Sequence, residues 1–232
     1  MSIASNLARV HDEIGNACAR AHRAPHTVAL MAVSKVQPAE ALLEAFEAGQ
    51  RLFGENRVQE WQTKRTSLPD FLAPAQIHLI GPLQNNKTAK AAEIFDAVDT
   101  LDSLKTAERL NAAAQSLNKT LRVLIEVKLS HEDTKHGLAP AELTALLTAL
   151  QPLLHLEVRG LMTVPPFADD PETARPYFQH LRRLRDEHIA LCPTLTELSM
   201  GMSNDFAVAI QEGSTTIRIG TAIFGKRAYL DP

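Results

Sequence analysis

Lys35 is the first residue to consider for covalent chemistry. It follows the apolar or small run VALMAVS and is followed closely by Pro38. A lysine at the end of such a run has two readings. Its stem can lie along apolar surface with the amine in water, or the amine can be a nucleophile whose burial lowers its pKa from the reference of about 10.4. A second concentration of polar groups lies in ELSMGMSNDFAVAIQEGSTTIRIGTAIFG. There Ser199, Ser203, Gly220 and Thr221 offer hydroxyls or backbone amides at two successive strand-to-helix turns, with Ser203, Asn204 or Asp205 as the cap of the first helix. Free N–H groups and the dipole at helix N-termini stabilise anions, so these turns read as a phosphate cradle. Asn56 stands at another strand end, and Arg218 lies within the last strand pattern. His78, between Ile77 and Leu79, reads as a core histidine. Asp99 and Asp102 in DTLDS read as a helix-capping loop in preference to an acid/base pair. RRLRDEH is a solvated helix face.

The elements that must position these residues follow from periodicity. Short apolar runs bounded by turn residues recur at 28–34, 51–54, 76–81, 95–101, 121–127, 156–164, 196–201 and 215–220, with amphipathic stretches between them. PAEALLEAFEAG places Pro38 at the first helical position and Gly49 as a stop, and SLKTAERLNAAAQS has Ser103 as its cap. Eight strand–helix units predict an α/β fold, a single (β/α)8 TIM barrel spanning 1–232 as one domain. An open doubly wound sheet is the weaker alternative, because no GxGxxG follows the first strand. Ile3, Leu7, Val10 and Ile14 predict an extra N-terminal helix on an end or flank of the barrel. The Pro- and Asp-rich stretch GLMTVPPFADDPETARPYF is a lid or a plain connecting loop.

In such a barrel, functional groups gather at the C-terminal ends of the strands, and the loops after strands 7 and 8 are the usual phosphate site. Strands 1 and 8 are neighbours, so Lys35 and the cradle can address one ligand. Pyridoxal 5′-phosphate (PLP) meets both requirements, with an aldehyde that forms a Schiff base with lysine and a phosphate that needs a cradle.

Six motifs in this order, AVSKVQP, FGENRVQE, HLIGPLQNNK, RGLMTVPP, SMGMSNDF and RIGTAIFG, carry a resemblance over nearly the whole chain. The chain resembles the pyridoxal phosphate homeostasis protein family, relatives of the N-terminal barrel of alanine racemase. The resemblance implies a fold-type III PLP barrel with Lys35 as the Schiff-base lysine. It also implies Arg218 at the pyridine nitrogen, Ser199, Ser203, Gly220 and Thr221 on the phosphate, and Asn56 beside the ring. Arginine only donates hydrogen bonds, so a pyridine nitrogen facing Arg218 stays unprotonated and the ring is a poor electron sink. The racemase uses a tyrosine base supplied with a second domain and a partner subunit. This chain's eighth unit is followed closely by Pro232, and its tyrosines are Tyr177 and Tyr229.

The favoured expectation is therefore a carrier or buffer of PLP in vitamin B6 homeostasis, with little or no turnover and no catalytic residue assigned. The alternative is a small racemase-like PLP enzyme drawing on His78, Asp99, Lys87 or Tyr229. A phosphosugar enzyme with a Schiff base at Lys35 is a third reading. A net charge of −3, from 24 basic and 27 acidic residues, excludes the electrostatic footprint of a dedicated nucleic-acid binder. Cys18 and Cys192 lie in no CxxC or zinc-ligand spacing, so no metal is expected. Without a signal peptide or a long apolar run, the expected location is cytoplasmic, not membrane-bound. The expected partners are PLP and apo forms of PLP-dependent enzymes, and the expected state is a monomer.

Overall fold

The computed structural model describes residues 2–68, 74–130 and 136–225. Each apolar run becomes a strand: β1 Ala29–Val33, β2 Leu52–Glu55, β3 Gln76–Leu79, β4 Ala97–Leu101, β5 Leu121–Glu126, β6 Leu156–Met162, β7 Glu197–Ser199 and β8 Thr216–Ile219. Neighbours in sequence pair in parallel. β8 returns to β1, with Ala29 opposite Thr216 and Met31 opposite Arg218, so the sheet closes into the expected eight-stranded barrel. Closure removes the exposed sheet edges that an open arrangement would leave.

The helices are α1 Ile3–Arg20, α2 Ala39–Glu47, α3 Val58–Thr66, α4 Thr88–Ile94, α5 Leu104–Ser116, α6 Leu143–Leu150, α7 Arg175–His188, α8 Phe206–Gln211 and α9 Thr221–Phe224. The Ser2 hydroxyl caps α1 by accepting from the Ser5 N–H at 3.2 Å. Of the expected stripe, Leu7, Val10 and Ile14 are buried and Ile3 partly so; with Ala17 they lie against α2, α8 and α9 on the barrel's flank. Pro38 is the N-cap of α2 and not its first helical residue. No helix of the described residues is long and apolar enough to cross a membrane.

The DTLDS reading needs correction. The capping oxygen of α5 is that of Ser103, which accepts from the Thr106 N–H, whereas Asp99 lies inside β4 and is buried. The local pattern identified the cap but assigned too much of the segment to it.

Strand alternation explains what fills the barrel. Leu30 and Ala32, Ile77 and Leu79, and Ile217 and Ile219 belong to the apolar layer beneath the helices. The residues between them, Met31, His78 and Arg218, consequently turn inward. At β7 the same logic puts Leu198 and Met200 outward and Ser199 inward. Gly201, two residues beyond β7, has φ +99°, and a Cβ there would lie 2.6 Å from the Cβ of Ala209. Only glycine combines that backbone conformation with so close an approach of α8.

Candidate functional site

Lys35 follows directly from the end of β1. The Ser34 N–H still pairs with the Gly54 carbonyl at 3.0 Å, and the Gln37 N–H returns to the Ser34 carbonyl at 3.1 Å, so Lys35 and Val36 occupy the centre of a tight turn. Val36 has φ +56°, a left-handed conformation that a β-branched side chain disfavours. The Ser34 hydroxyl points to the helix side, donating to Glu55 Oε1 at 2.7 Å. Alternation leaves the half-buried Lys35 on the side of the barrel mouth. Behind the turn, Lys64 Nζ donates to the Ser34 carbonyl at 2.9 Å and to Glu55 Oε1 at 2.6 Å. Burial pushes the Glu55 carboxyl upward, and Lys64 and the Ser34 hydroxyl pull it back.

Across the β1–β8 seam lies the second predicted group. Arg218 is buried, donating from Nη1 to Ser199 Oγ at 2.7 Å and from Nη2 to the Thr163 carbonyl at 2.9 Å. Burial lowers its pKa, opposed by the charges of Asp99, Glu126 and Asp205. Guanidinium remains protonated at such sites and only donates. Ser199 is therefore fully buried beside Arg218 and keeps its own hydroxyl proton to give, whereas Ser203 and Thr221 are exposed on the turns. Gly220 abuts the end of β1, where a Cβ would lie 3.3 Å from the Val33 carbonyl oxygen. In α9 the Ile223 and Phe224 amides already donate to the Gly220 carbonyl, each at 2.9 Å, which leaves those of Thr221 and Ala222 as the opening donors of the helix.

At the β7–α8 turn Asp205 Oδ1 accepts from the Met202 N–H at 2.6 Å, and burial raises the Asp205 pKa. Asn204 Nδ2 donates to the Ala168 carbonyl at 2.9 Å, which ties the loop after β6 to this turn. Phe167, beside that tether, is 81% exposed.

Asn56 follows directly from the end of β2, the strand that pairs with β1. It lines a cavity of about 540 Å3 together with Arg57, Gln84, Lys87 and His136. A Cβ on Gly81 would lie 2.3 Å from the Asn56 carbonyl oxygen, so the glycine of HLIGPLQNNK is what allows Asn56 to occupy this place. A smaller cavity of about 210 Å3 shares Pro82 and His136 and adds Glu126, Lys128 and Ser130. Burial raises the Glu126 pKa, with Arg218 opposing. His78 and Asp99 lie within the barrel, His78 Nδ1 being 3.1 and 3.2 Å from the two Asp99 oxygens. Burial disfavours the His78 cation, but the charge and hydrogen bond of Asp99 outweigh it and the pKa is raised. His78 is thus the satisfied core histidine expected, with a partner that the sequence reading had assigned elsewhere. Tyr229 lies outside the described residues.

The Ser34, Glu55, Lys64 cluster was missed. Glu55 is visible as a strand-end carboxylate in FGENRVQE, but the α3 sequence VQEWQTKRT carries no clean apolar stripe to mark Lys64 as buried.

Comparison with known proteins agrees with this architecture. The family described as "Alanine racemase, N-terminal domain" matches residues 6–228. A protein of Pasteurella multocida named "Pyridoxal phosphate homeostasis protein" is 44% identical over 231 residues, covering 99% of each chain. A protein of the same name from Pseudomonas aeruginosa is 45% identical, covering 100% of this chain and 98% of its own. The solved structure of PipY from Synechococcus elongatus PCC7942 with PLP bound is similar at TM-score 0.84 and 41% identity, covering 97% of this chain and 100% of that one. The barrel, the lysine turn and these full-length identities together place the chain in the pyridoxal phosphate homeostasis protein family.

Proposed function

We propose that this chain binds PLP and carries or buffers it, with the cofactor attached through Lys35 and little or no turnover. The observation that carries this reading is the convergence of the Lys35 turn, buried Arg218 and the Gly220–Thr221 turn on one seam of the barrel mouth. The relatives' shared name and the PLP bound in PipY support it. When bound, PLP supplies an aldehyde that condenses with a neutral lysine amine, releasing one water. The residues present fit such a ligand. Of the residues assigned to the ligand, Asn56 alone lines the cavity of about 540 Å3, and the Thr221 and Ala222 amides that open α9 suit a phosphate.

In this reading Arg218 donates toward the pyridine nitrogen and keeps it unprotonated. Ser199 supports Arg218 and gives its remaining proton to the phosphate side. Ser203, Gly220 and Thr221 hold the phosphate, and Asn56 orients the ring. The chain acts as one barrel domain and as a monomer in the cytoplasm, passing PLP to apo-enzymes without nucleic-acid or membrane partners. Its cysteines suit a reducing compartment, both being free thiols.

The test is an absorbance titration of the purified protein with PLP. The visible band of lysine-bound cofactor should form in the wild type and be lost in Lys35→Ala; a colourless wild type defeats the reading. A racemase-like enzyme is the second reading, favoured by Glu126, a mouth carboxyl pushed toward its protonated form. Incubating the loaded protein with L- and D-amino acids in deuterated water distinguishes the two. Cα–H exchange at an enzymatic rate would replace the carrier with the enzyme.

A further inference from the structure

The peptide groups on both sides of Lys35 are held by charged side chains from the helix side of the sheet. On the N-terminal side, Ser34 gives its hydroxyl proton to Glu55 Oε1 at 2.7 Å, and its carbonyl receives Lys64 Nζ at 2.9 Å. On the C-terminal side, the Val36 N–H donates to Glu60 Oε1 at 2.5 Å. Lys64 joins the two holds, lying 2.6 Å from Glu55 Oε1 and 3.4 Å from Glu60 Oε1.

We propose that Glu55, Lys64 and Glu60 are positioning residues that clamp the Ser34–Gln37 turn, keep Val36 left-handed and thereby aim the Lys35 amine into the barrel mouth. The proposal rests on Lys35 being the attachment residue.

Stability alone is a poor explanation of the cluster. Lys64 and Glu55 are both buried, and Glu55 Oε2 has no hydrogen-bond partner. A buried ion pair of this kind is commonly no better for stability than well-packed apolar side chains. Val36 adds a second unfavourable feature, since glycine or asparagine would take φ +56° with less strain. Strained backbone persists only where its surroundings over-determine it, and here they do so on either side of one lysine. Covalent attachment needs the amine fixed in direction, and a turn pinned at both neighbouring peptides provides this.

Lys64→Ala would strand Glu55 without its counter-charge and risks unfolding, so the test uses Glu60, at the cluster's more exposed end. Wild type, Glu60→Ala, and Glu60→Ala combined with Val36→Gly are titrated with PLP by absorbance across pH. Hydrogen exchange at the residue-36 amide is measured in the apo proteins. Glu60→Ala should weaken PLP binding about ten-fold, the loss of one charge-assisted hydrogen bond. It should also shift the pH profile of the visible band and unprotect the Val36 amide, with the fold intact by circular dichroism. Val36→Gly should restore part of the lost affinity, because glycine takes the left-handed conformation without the strain that the clamp offsets.

Wild-type affinity and pH profile in Glu60→Ala would overturn the proposal. So would failure of Val36→Gly to restore binding, or an unprotected Val36 amide in the wild type. If Lys35→Ala keeps the visible band, the attachment reading falls and takes this proposal with it. If Lys35→Ala loses the band but Glu60→Ala is unaffected, only the clamp falls.

Discussion

Arg218 brings its charge into the barrel, where Asp99, Glu126 and Asp205 oppose the cost of burying it. Arg218→Met would leave those carboxyls without their cation, an expected loss of about 3–5 kcal/mol by urea denaturation. Glu126 and Asp205 already have raised pKa values. A raised carboxyl favours the folded state at low pH and loses that contribution as pH rises through its folded value. The variant's deficit should therefore be smaller at pH 5 than at pH 8. His78 has the same sign. Its pKa is raised above 6.5, so its contribution is complete below that value and fades as pH climbs through the folded one. Asp99→Asn removes the charge and the charge-assisted hydrogen bond that favour the cation and leaves burial to dominate, so an NMR titration should find the His78 pKa below 6.5. The places of Lys35 just past one strand and of Arg218 within another were legible in the sequence, because strand ends and alternation are local patterns. The partnership of His78 and Asp99 was not, since it joins residues 21 positions apart across two strands.

All eight strands could be read in advance because parallel strands buried on both faces appear as short apolar runs between turn residues. Helix α1 was legible for a related reason, its stripe having only one face to bury. The turns between elements were less so, because their constraints come from what they touch. Gly81→Ala would drive a Cβ to 2.3 Å from the Asn56 carbonyl, a backbone atom with no rotamer to escape by. The expected result is a loss of about 1–3 kcal/mol in thermal or chemical unfolding, with weaker PLP binding as Asn56 is displaced. Gly201→Ala meets both a positive φ and the Cβ of Ala209, and should destabilise by a similar amount while loosening the β7–α8 turn. Helix α3 explains why Lys64 escaped notice. Its burial depends on the Glu55 and Ser34 partners beneath it, which no periodicity in VQEWQTKRT could announce.

The barrel as a whole should be stabilised by its ligand through mass action. PLP at 100 times its dissociation constant should add about 2.7 kcal/mol and raise the melting temperature in proportion, and Lys35→Ala should lose most of that increase at equal PLP concentration. The seam between β1 and β8 has a further consequence. Arg23, just ahead of β1, donates to the carbonyl of Ser214, 191 residues away, and Met31 waits for Arg218. Contacts so distant in sequence form late, because the chain between them must already be ordered. During synthesis Lys35 emerges first and the Gly220–Thr221 turn last, so on the proposed attachment a half-made ring has its lysine and no cradle. On that proposal stable retention of the cofactor waits until the final strand closes, and bound PLP becomes a report on completed folding.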